Sequence, residues 1–405
     1  MSGTRLLRTL VVTAVASLGL AGCGGVSNEQ NNAGDGGGST PAAPAPTAAA
    51  DAADPRGDGN AQCSNVSLAY IGTIAGQNAA LGIAIRNGVK LAVDQHNSAN
   101  PNCQVTLKEF DTEGSPDRAP GVVTQAINDP TIMGVVGLPF SGESKAVGAT
   151  FNEAGLVTIT PSATNPDLAK NGWKTFFRAL GNDAVQGPAA AKFLTEKLNA
   201  QKVCVIRDDS EYGIGLANMV KQGLGDKLVC EDQVKTGQKE FSATVGKIEG
   251  ADPDAIFYAG YYTEAAPFAQ QLRDAGVEAK LVAPDGVKDD EFVKNAGEAA
   301  EGAYLTCPCV PADAFTEFTN AYREAYGVDP STYSAEGYDA ATILLKALDK
   351  GLNTRQAVLD FVKNYEGQGL TKAFKWDANG ELTDTPVWTY RVENGKIVKD
   401  QPIGS

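Results

Sequence analysis

From residue 66 onward the chain alternates short β-branched runs with amphipathic stretches, and that alternation limits its fold more than any other feature. Strand candidates fall at 66–73, 104–110, 132–137, 156–160, 202–207, 228–234, 254–259, 279–282 and 302–306. Helical patterns lie between them, near 79–96, 117–127, 143–154, 185–199, 212–224, 241–249, 262–275 and 288–296. Single helices between strands predict βαβ units, hence an α/β fold with parallel sheets covered on both faces. The rhythm breaks at 176–186, an irregular segment read as a crossing between two lobes. Helices at 312–326, 335–349 and 354–363 then follow one another, and Trp376-Asp377-Ala378-Asn379-Gly380 reads as a turn before a final β-hairpin. The ordered part, about 345 residues, is long enough for two separate cores.

Ahead of this region stand Arg5 and Arg8, then a mainly apolar run from Leu10 to Leu20. The run is shorter than the ~20 residues that span a bilayer and suits a cleaved export signal. Leu20-Ala21-Gly22-Cys23 resembles a bacterial lipobox, which implies a signal peptide over 1–22 and a lipid on Cys23. Residues 23–62, rich in Gly, Ala, Ser and Pro, read as a disordered leash of roughly 35 Å root-mean-square. The expectation is a protein lipid-anchored on the extracytoplasmic face of the cell membrane.

Loss of 1–22 takes the formal charge from −15 to −17, an acidity that disfavours nucleic acid and anionic lipid as partners. The membrane is then met only through the anchor. The single histidine, His96, argues against a His-based metal site or a Ser-His-Asp triad, and reads as a helix-end residue. Neither a metal nor a cofactor is expected. Six cysteines remain besides Cys23, an even number that in an exported chain implies disulfides. Cys63 precedes the first strand and Cys103 opens the second; Cys204 and Cys230 lie in consecutive strands; Cys307-Pro308-Cys309 can bridge locally, or serve redox or metal chemistry.

In open parallel sheets, ligands bind beyond the carboxyl ends of the strands. There the first lobe offers Leu138-Pro139-Phe140-Ser141-Gly142-Glu143-Ser144, a loop opening a helix, where free N–H groups and a hydroxyl suit an anion. Ser141 is equally an ordinary N-cap. Pro161-Ser162-Ala163-Thr164-Asn165 again presents small hydroxylated residues. In the second lobe Tyr212 and Tyr261 supply flat walls with polar rims, and Asp285 can accept from an ammonium group, although Pro284-Asp285-Gly286 is also a common turn sequence.

Gly-Leu-Pro-Phe-Ser at 137–141, Ile159 through Leu168, Arg178 through Pro188, Asp208 through Gly213, Gly237 through Ser242 and Ala259-Gly260-Tyr261-Tyr262 resemble the leucine/isoleucine/valine-binding protein family. The likeness runs from about 66 to 398. It implies the type I periplasmic-binding fold, two doubly wound parallel-sheet lobes joined by a three-segment hinge, with lobe 1 at 64–182 and 309–388 and lobe 2 at 183–308 and 389–405. It implies a monomeric, non-enzymatic receptor that passes an amino acid to an ABC permease. By the same resemblance Ser141, Ser162 and Thr164 hold the α-carboxylate and Asp285 and Tyr261 the α-ammonium, Tyr212 lines the closing side, and Tyr333 aligns with a wall residue of the side-chain pocket. Asp285 stands where the family commonly carries Glu, and Leu81 where an aromatic often covers the side-chain pocket. A sensor that signals on binding an amino acid, amide or urea-like solute is the alternative. A hydrolase using Ser141 or Ser144 lacks a Gly-x-Ser-x-Gly elbow.

Overall fold

The computed structural model describes residues 52–382 and 385–403; the signal segment 1–22 and Cys23 lie outside the described residues. One sheet has five parallel strands in the order β2-β1-β3-β4-β5: β1 (Ser67–Gly72), β2 (Thr106–Asp111), β3 (Ile132–Gly137), β4 (Thr158–Thr160) and β5 (Phe176–Arg178). The other has seven in the order β14-β13-β10-β9-β8-β6-β7: β6 (Val203–Arg207), β7 (Leu228–Gln233), β8 (Ala255–Ala259), β9 (Lys280–Ala283), β10 (Tyr304–Cys307), β13 (Val387–Glu393) and β14 (Lys396–Ile403). It is parallel from β7 to β10, and β13 and β14 close it as an antiparallel hairpin. A small ribbon pairs β11 (Glu366–Gln368) with β12 (Ala373–Lys375).

The helices that cover the sheets are α1 (Ala79–Ala99), α2 (Ala119–Ile127), α3 (Ser141–Ala154), α4 (Asp183–Lys192), α5 (Glu211–Leu224), α6 (Ser242–Ala251), α7 (Tyr262–Asp274), α8 (Asp290–Ala296), α9 (Thr316–Tyr326), α10 (Ser334–Asp349) and α11 (Arg355–Lys363). Central strands β1, β3 and β8 are buried along their whole length, as strands covered on both faces must be, whereas the edge strand β7 alternates between half-buried and exposed. Helices α1 and α10 approach so closely that a Cβ on Gly88 would lie 1.9 Å from the Ser334 carbonyl oxygen. At their ends His96 Nε2 meets Asp349 Oδ1 at 2.8 Å, so the lone histidine fastens two helices. Among the described residues no helix is long and apolar enough to cross a membrane.

The chain passes between sheets after β5, after β10 and before β13. The first passage follows a strand the sequence pattern did not reveal, because Phe176-Phe177-Arg178 is only three residues long and ends in a buried arginine. The last boundary falls ahead of Val387, since Trp388 pairs with Cys307 inside the second sheet. Disulfides join Cys63 to Cys103, Cys204 to Cys230, and Cys307 to Cys309. The second links residues directly opposite each other in β6 and β7. Cys103, His96 and Asp349 converge, but the Cys103 sulfur is committed to Cys63.

Residues 53–62, expected to belong to a disordered leash, are held in place, while residues 23–51 of that expectation lie outside the described residues. Ala53 N donates to the Gln368 carbonyl at 2.7 Å, Asn100 Nδ2 to the Arg56 carbonyl at 2.9 Å, and Ala61 N to Asn100 Oδ1 at 3.1 Å. Residues 53–62 are therefore laid against the five-stranded lobe, because a polar segment can be ordered by backbone hydrogen bonds without burying an apolar face.

Candidate functional site

Each wall of the site begins where a strand stops. After β3, Leu138 adopts φ 54°, its N–H donates to the Ile71 carbonyl at 2.6 Å, and its own carbonyl accepts from Ser144 Oγ and Thr160 Oγ1. A left-handed leucine is costly and persists only where its surroundings fix it. The bend carries Pro139, Phe140 and Ser141 into the space between the sheets. Tyr333, just before α10, is also left-handed, at φ 67°. The other non-glycine residues with positive φ are Asn, Asp or Glu, so the two without such polar side chains both belong to this site.

Leu81, Pro139, Phe140, Ser141, Ser162, Tyr212, Tyr261, Asp285, Gly286 and Tyr333 line one cavity. Six of the seven expected site residues thus meet. The exception is Thr164, which is fully buried outside this lining. Phe140 and Gly286 were not singled out from sequence. Phe140 could have been, since it lies inside the loop already marked. A Cβ on Gly286 would meet the Gly260 carbonyl at 2.7 Å and the Tyr212 ring at 2.9 Å, so only glycine lets the two tyrosines close over Asp285.

The Tyr212 hydroxyl donates to Asp285 Oδ1 and the Tyr333 hydroxyl to Oδ2, both at 2.6 Å. Burial pushes the Asp285 carboxyl above its usual range, and these phenols with the Gln186 side chain only partly oppose that. The Tyr261 ring packs against Phe140 at 5.0 Å and Tyr212 at 5.1 Å between centroids. Facing Asp285 is the opposite polarity. Helix α3 starts at Ser141 with no side-chain cap on its first turn, because its N-cap is Phe140. Uncapped first-turn N–H groups and the positive end of the helix dipole attract an anion. Glu143, the third residue of α3, is buried against Thr112 and the Phe140 N–H, and burial pushes its carboxyl up to about 7.

The turn beneath is held by Arg178. Its buried guanidinium donates to the carbonyls of Ala163 and Asn165 and pairs with Glu381 at 2.9 Å. Ser141 Oγ accepts from Asn165 N at 3.2 Å, and Ser162 Oγ donates to the Pro139 carbonyl at 2.8 Å, tying the two loops together.

The lobes are shut. Asn165 Nδ2 donates to the Glu211 carbonyl at 2.8 Å, Lys145 pairs with Glu211 at 2.7 Å, Gln77 donates to Glu264 at 3.0 Å and Thr263 to Asn78 at 3.0 Å. Shut in this way, the cavity has room for about one water molecule.

A model of the periplasmic binding protein family matches residues 65–396. The leucine-specific-binding protein of Salmonella typhimurium is 30% identical over 336 residues, covering 80% of this chain and 89% of that one. The leucine-, isoleucine-, valine-, threonine- and alanine-binding protein of Pseudomonas aeruginosa is 30% identical with the same coverage. Among solved structures, a branched-chain amino acid transporter substrate-binding protein from Streptococcus pneumoniae, in complex with isoleucine, superposes with a TM-score of 0.79 at 29% identity, over 84% of this chain and 99% of that one. A leucine-binding protein from Thermotoga maritima gives 0.75 at 28%, with the same coverage. The chain belongs to the periplasmic binding protein family, among the leucine/isoleucine/valine-binding proteins with the type I fold.

Proposed function

We propose that the protein captures an amino acid, of branched-chain type by default, in the interlobe cleft and delivers it to an ABC permease, while a lipid on Cys23 keeps it at the extracytoplasmic face of the cell membrane. The observation that carries this is the polarity of the site. A buried carboxylate with two phenols stands at one end, and an uncapped helix start with Ser141 at the other. An α-amino acid has the matching pair of charges. The names of the relatives support the branched-chain class, and Leu81, Phe140 and Tyr261 offer apolar surface for such a side chain. Ser141 and Ser162 hold the carboxylate, Asp285 and Tyr261 the ammonium, with Tyr212 and Tyr333 closing over them. The lobes part to admit ligand, and closure is stabilised by contacts to both sides.

Calorimetric titration against the twenty amino acids, simple amides and urea tests this. One-to-one binding of leucine, isoleucine or valine is expected. Binding of a neutral amide or a plain carboxylate, with no amino acid bound, would refute it.

A further inference from the structure

The Cys-Pro-Cys motif has no part in the cleft, yet the fold sets it where the lobes join. Cys307 ends β10, and the chain leaves the seven-stranded lobe through Pro308 and the bridged Cys309, all three residues buried. The other two crossings meet it there. A Cβ on Gly181, in the first, would lie 2.5 Å from the Thr385 hydroxyl oxygen in the third and 3.4 Å from Pro308 Cβ.

Each lobe grips the motif on its own side. In the seven-stranded lobe, the Gln186 amide donates to the Thr306 carbonyl and hydroxyl at 3.2 Å each, Cys307 pairs with Trp388, and the Tyr390 hydroxyl donates to the Cys309 carbonyl at 3.3 Å. The next residue belongs to the other side: Val310 N donates at 3.0 Å to Glu336 on α10, the helix packed on α1. Lys372 pairs with the same Glu336 at 3.5 Å and donates to the Ala179 carbonyl of the first crossing at 3.0 Å. The bridge therefore makes residues 307–309 one body with the seven-stranded lobe, and bending at this crossing falls on the bonds between Cys309 and Val310. Stability does not account for such a bridge. Joining positions two apart removes about a third of the chain entropy that the 40-residue separation of Cys63–Cys103 removes. What it restricts is backbone freedom at one point, beside a proline whose φ is already fixed.

We propose that the Cys307–Cys309 bridge is a redox-sensitive pivot, which holds this crossing stiff when oxidised and lets the lobes part more readily when reduced. Where it concerns ligand, the inference rests on the amino-acid reading above. In the closed form Thr306, Cys309 and Val310 are held from both sides whether or not the sulfurs are joined. Once the lobes part, a reduced crossing gains backbone freedom that an oxidised one does not, so reduction favours the open form. The co-reactant is a dithiol. Its thiolate attacks one sulfur, the S–S bond breaks, and its second thiol resolves the mixed disulfide. Two electrons and two protons pass to Cys307 and Cys309, and the dithiol leaves as its own disulfide. By linkage, an amino acid that favours closure opposes this reduction by the same factor by which reduction weakens its binding.

The test compares the wild-type full chain with its Cys307→Ser, Cys309→Ser double variant, which stands in for the reduced bridge. Freeing the backbone of one residue is expected to raise the dissociation constant for leucine, or whichever amino acid binds, about fivefold or more, mainly through faster dissociation in stopped flow. The unliganded melting temperature is expected to fall by only about 2 °C. Unchanged affinity and dissociation rate overturn the inference and leave the amino-acid reading standing. Should no amino acid bind, that reading falls, and X-ray scattering of the unliganded proteins decides the pivot: a larger radius of gyration in the variant supports it, and identical curves overturn it. Should the variant not fold, reduction of wild type by dithiothreitol decides, followed by alkylation and mass spectrometry with and without ligand. Slower reduction of Cys307–Cys309 with Cys204–Cys230 unaffected supports the pivot; no slowing, or equal slowing of both, overturns it.

Discussion

Replacing Asp285 by Asn should push binding and stability in different directions. The carboxylate accepts two 2.6 Å bonds from phenols and is almost completely buried, yet its pKa is raised, so desolvation outweighs those donors. A raised carboxyl pKa means that the ionised form is worse off folded than unfolded, a cost present at neutral pH and relieved only as pH falls through the folded value. Asn removes the charge and can still accept from one phenol. The unliganded variant should therefore melt at the wild-type temperature or higher. Binding goes the other way. Removing one partner of a buried, hydrogen-bonded charge costs about 2–5 kcal/mol, a loss of affinity of roughly 30-fold to 5,000-fold. At a ligand concentration 1,000 times its dissociation constant, wild type gains ~4.1 kcal/mol, or a rise of roughly 6 °C in melting temperature for a chain of this size. A variant weakened about a thousandfold would gain ~0.4 kcal/mol at the same concentration, about 1 °C. Paired thermal melts with and without leucine read both effects. A variant that keeps most of the ligand-induced rise, or whose unliganded form melts well below wild type, refutes the reasoning.

Gly88→Ala would drive a methyl group into the Ser334 carbonyl, so a loss of about 1–3 kcal/mol or more is expected by urea denaturation, with ligand affinity little changed in whatever folds. Removing the Cys63–Cys103 bridge as a double Ser variant opens a 40-residue separation, which loop entropy values at about 3.9 kcal/mol; an unchanged denaturation midpoint would show that the tie at residues 53–62 already supplies the constraint. Glu143 and Asp208 are pushed up to about 7, and Asp289 and Asp339 to about 6. Raised carboxyls favour the folded state below their folded pKa, so the melting temperature of the unliganded protein should be higher at about pH 5.5 than at about pH 8. The reverse order would mean that these acids are paired with cations in solution. The Lys145–Glu211 pair across the cleft is largely exposed, and Lys145→Ala should change leucine affinity by no more than about fivefold.

Much of this fold was legible because its strands are either fully buried apolar runs or framed by helices of ordinary length. Strand β5 was not, being three residues long with a charged end, and the helix expected over 185–199 begins at Asp183 and changes to a π turn at Phe193, where the apolar pattern gives no warning. The cleft residues were found because strand ends concentrate Ser, Thr, Tyr and Asp in loops. Asp183, which is fully buried, escaped the same reasoning because it falls in the stretch 176–186 read as irregular, where Asn182 Oδ1 in fact accepts from Ala184 N at 2.9 Å and caps α4. The burial of Asp183 follows from the meeting of α4 with the Thr164 turn and β10, a tertiary fact without a local signature. The ordering of residues 53–62 is likewise invisible locally, because their partners lie at Asn100 and Gln368.

That N-terminal tie also decides which half of the molecule is carried by the other. The chain enters along the five-stranded lobe and is laced to it at Asn100, Gln368 and the Cys63–Cys103 bridge. Among the described residues these ties reach the five-stranded lobe and not the seven-stranded lobe, which carries Tyr212, Tyr261 and Asp285. Opening and closing of the cleft then become a motion of the seven-stranded lobe against the lobe to which residues 53–62 are tied.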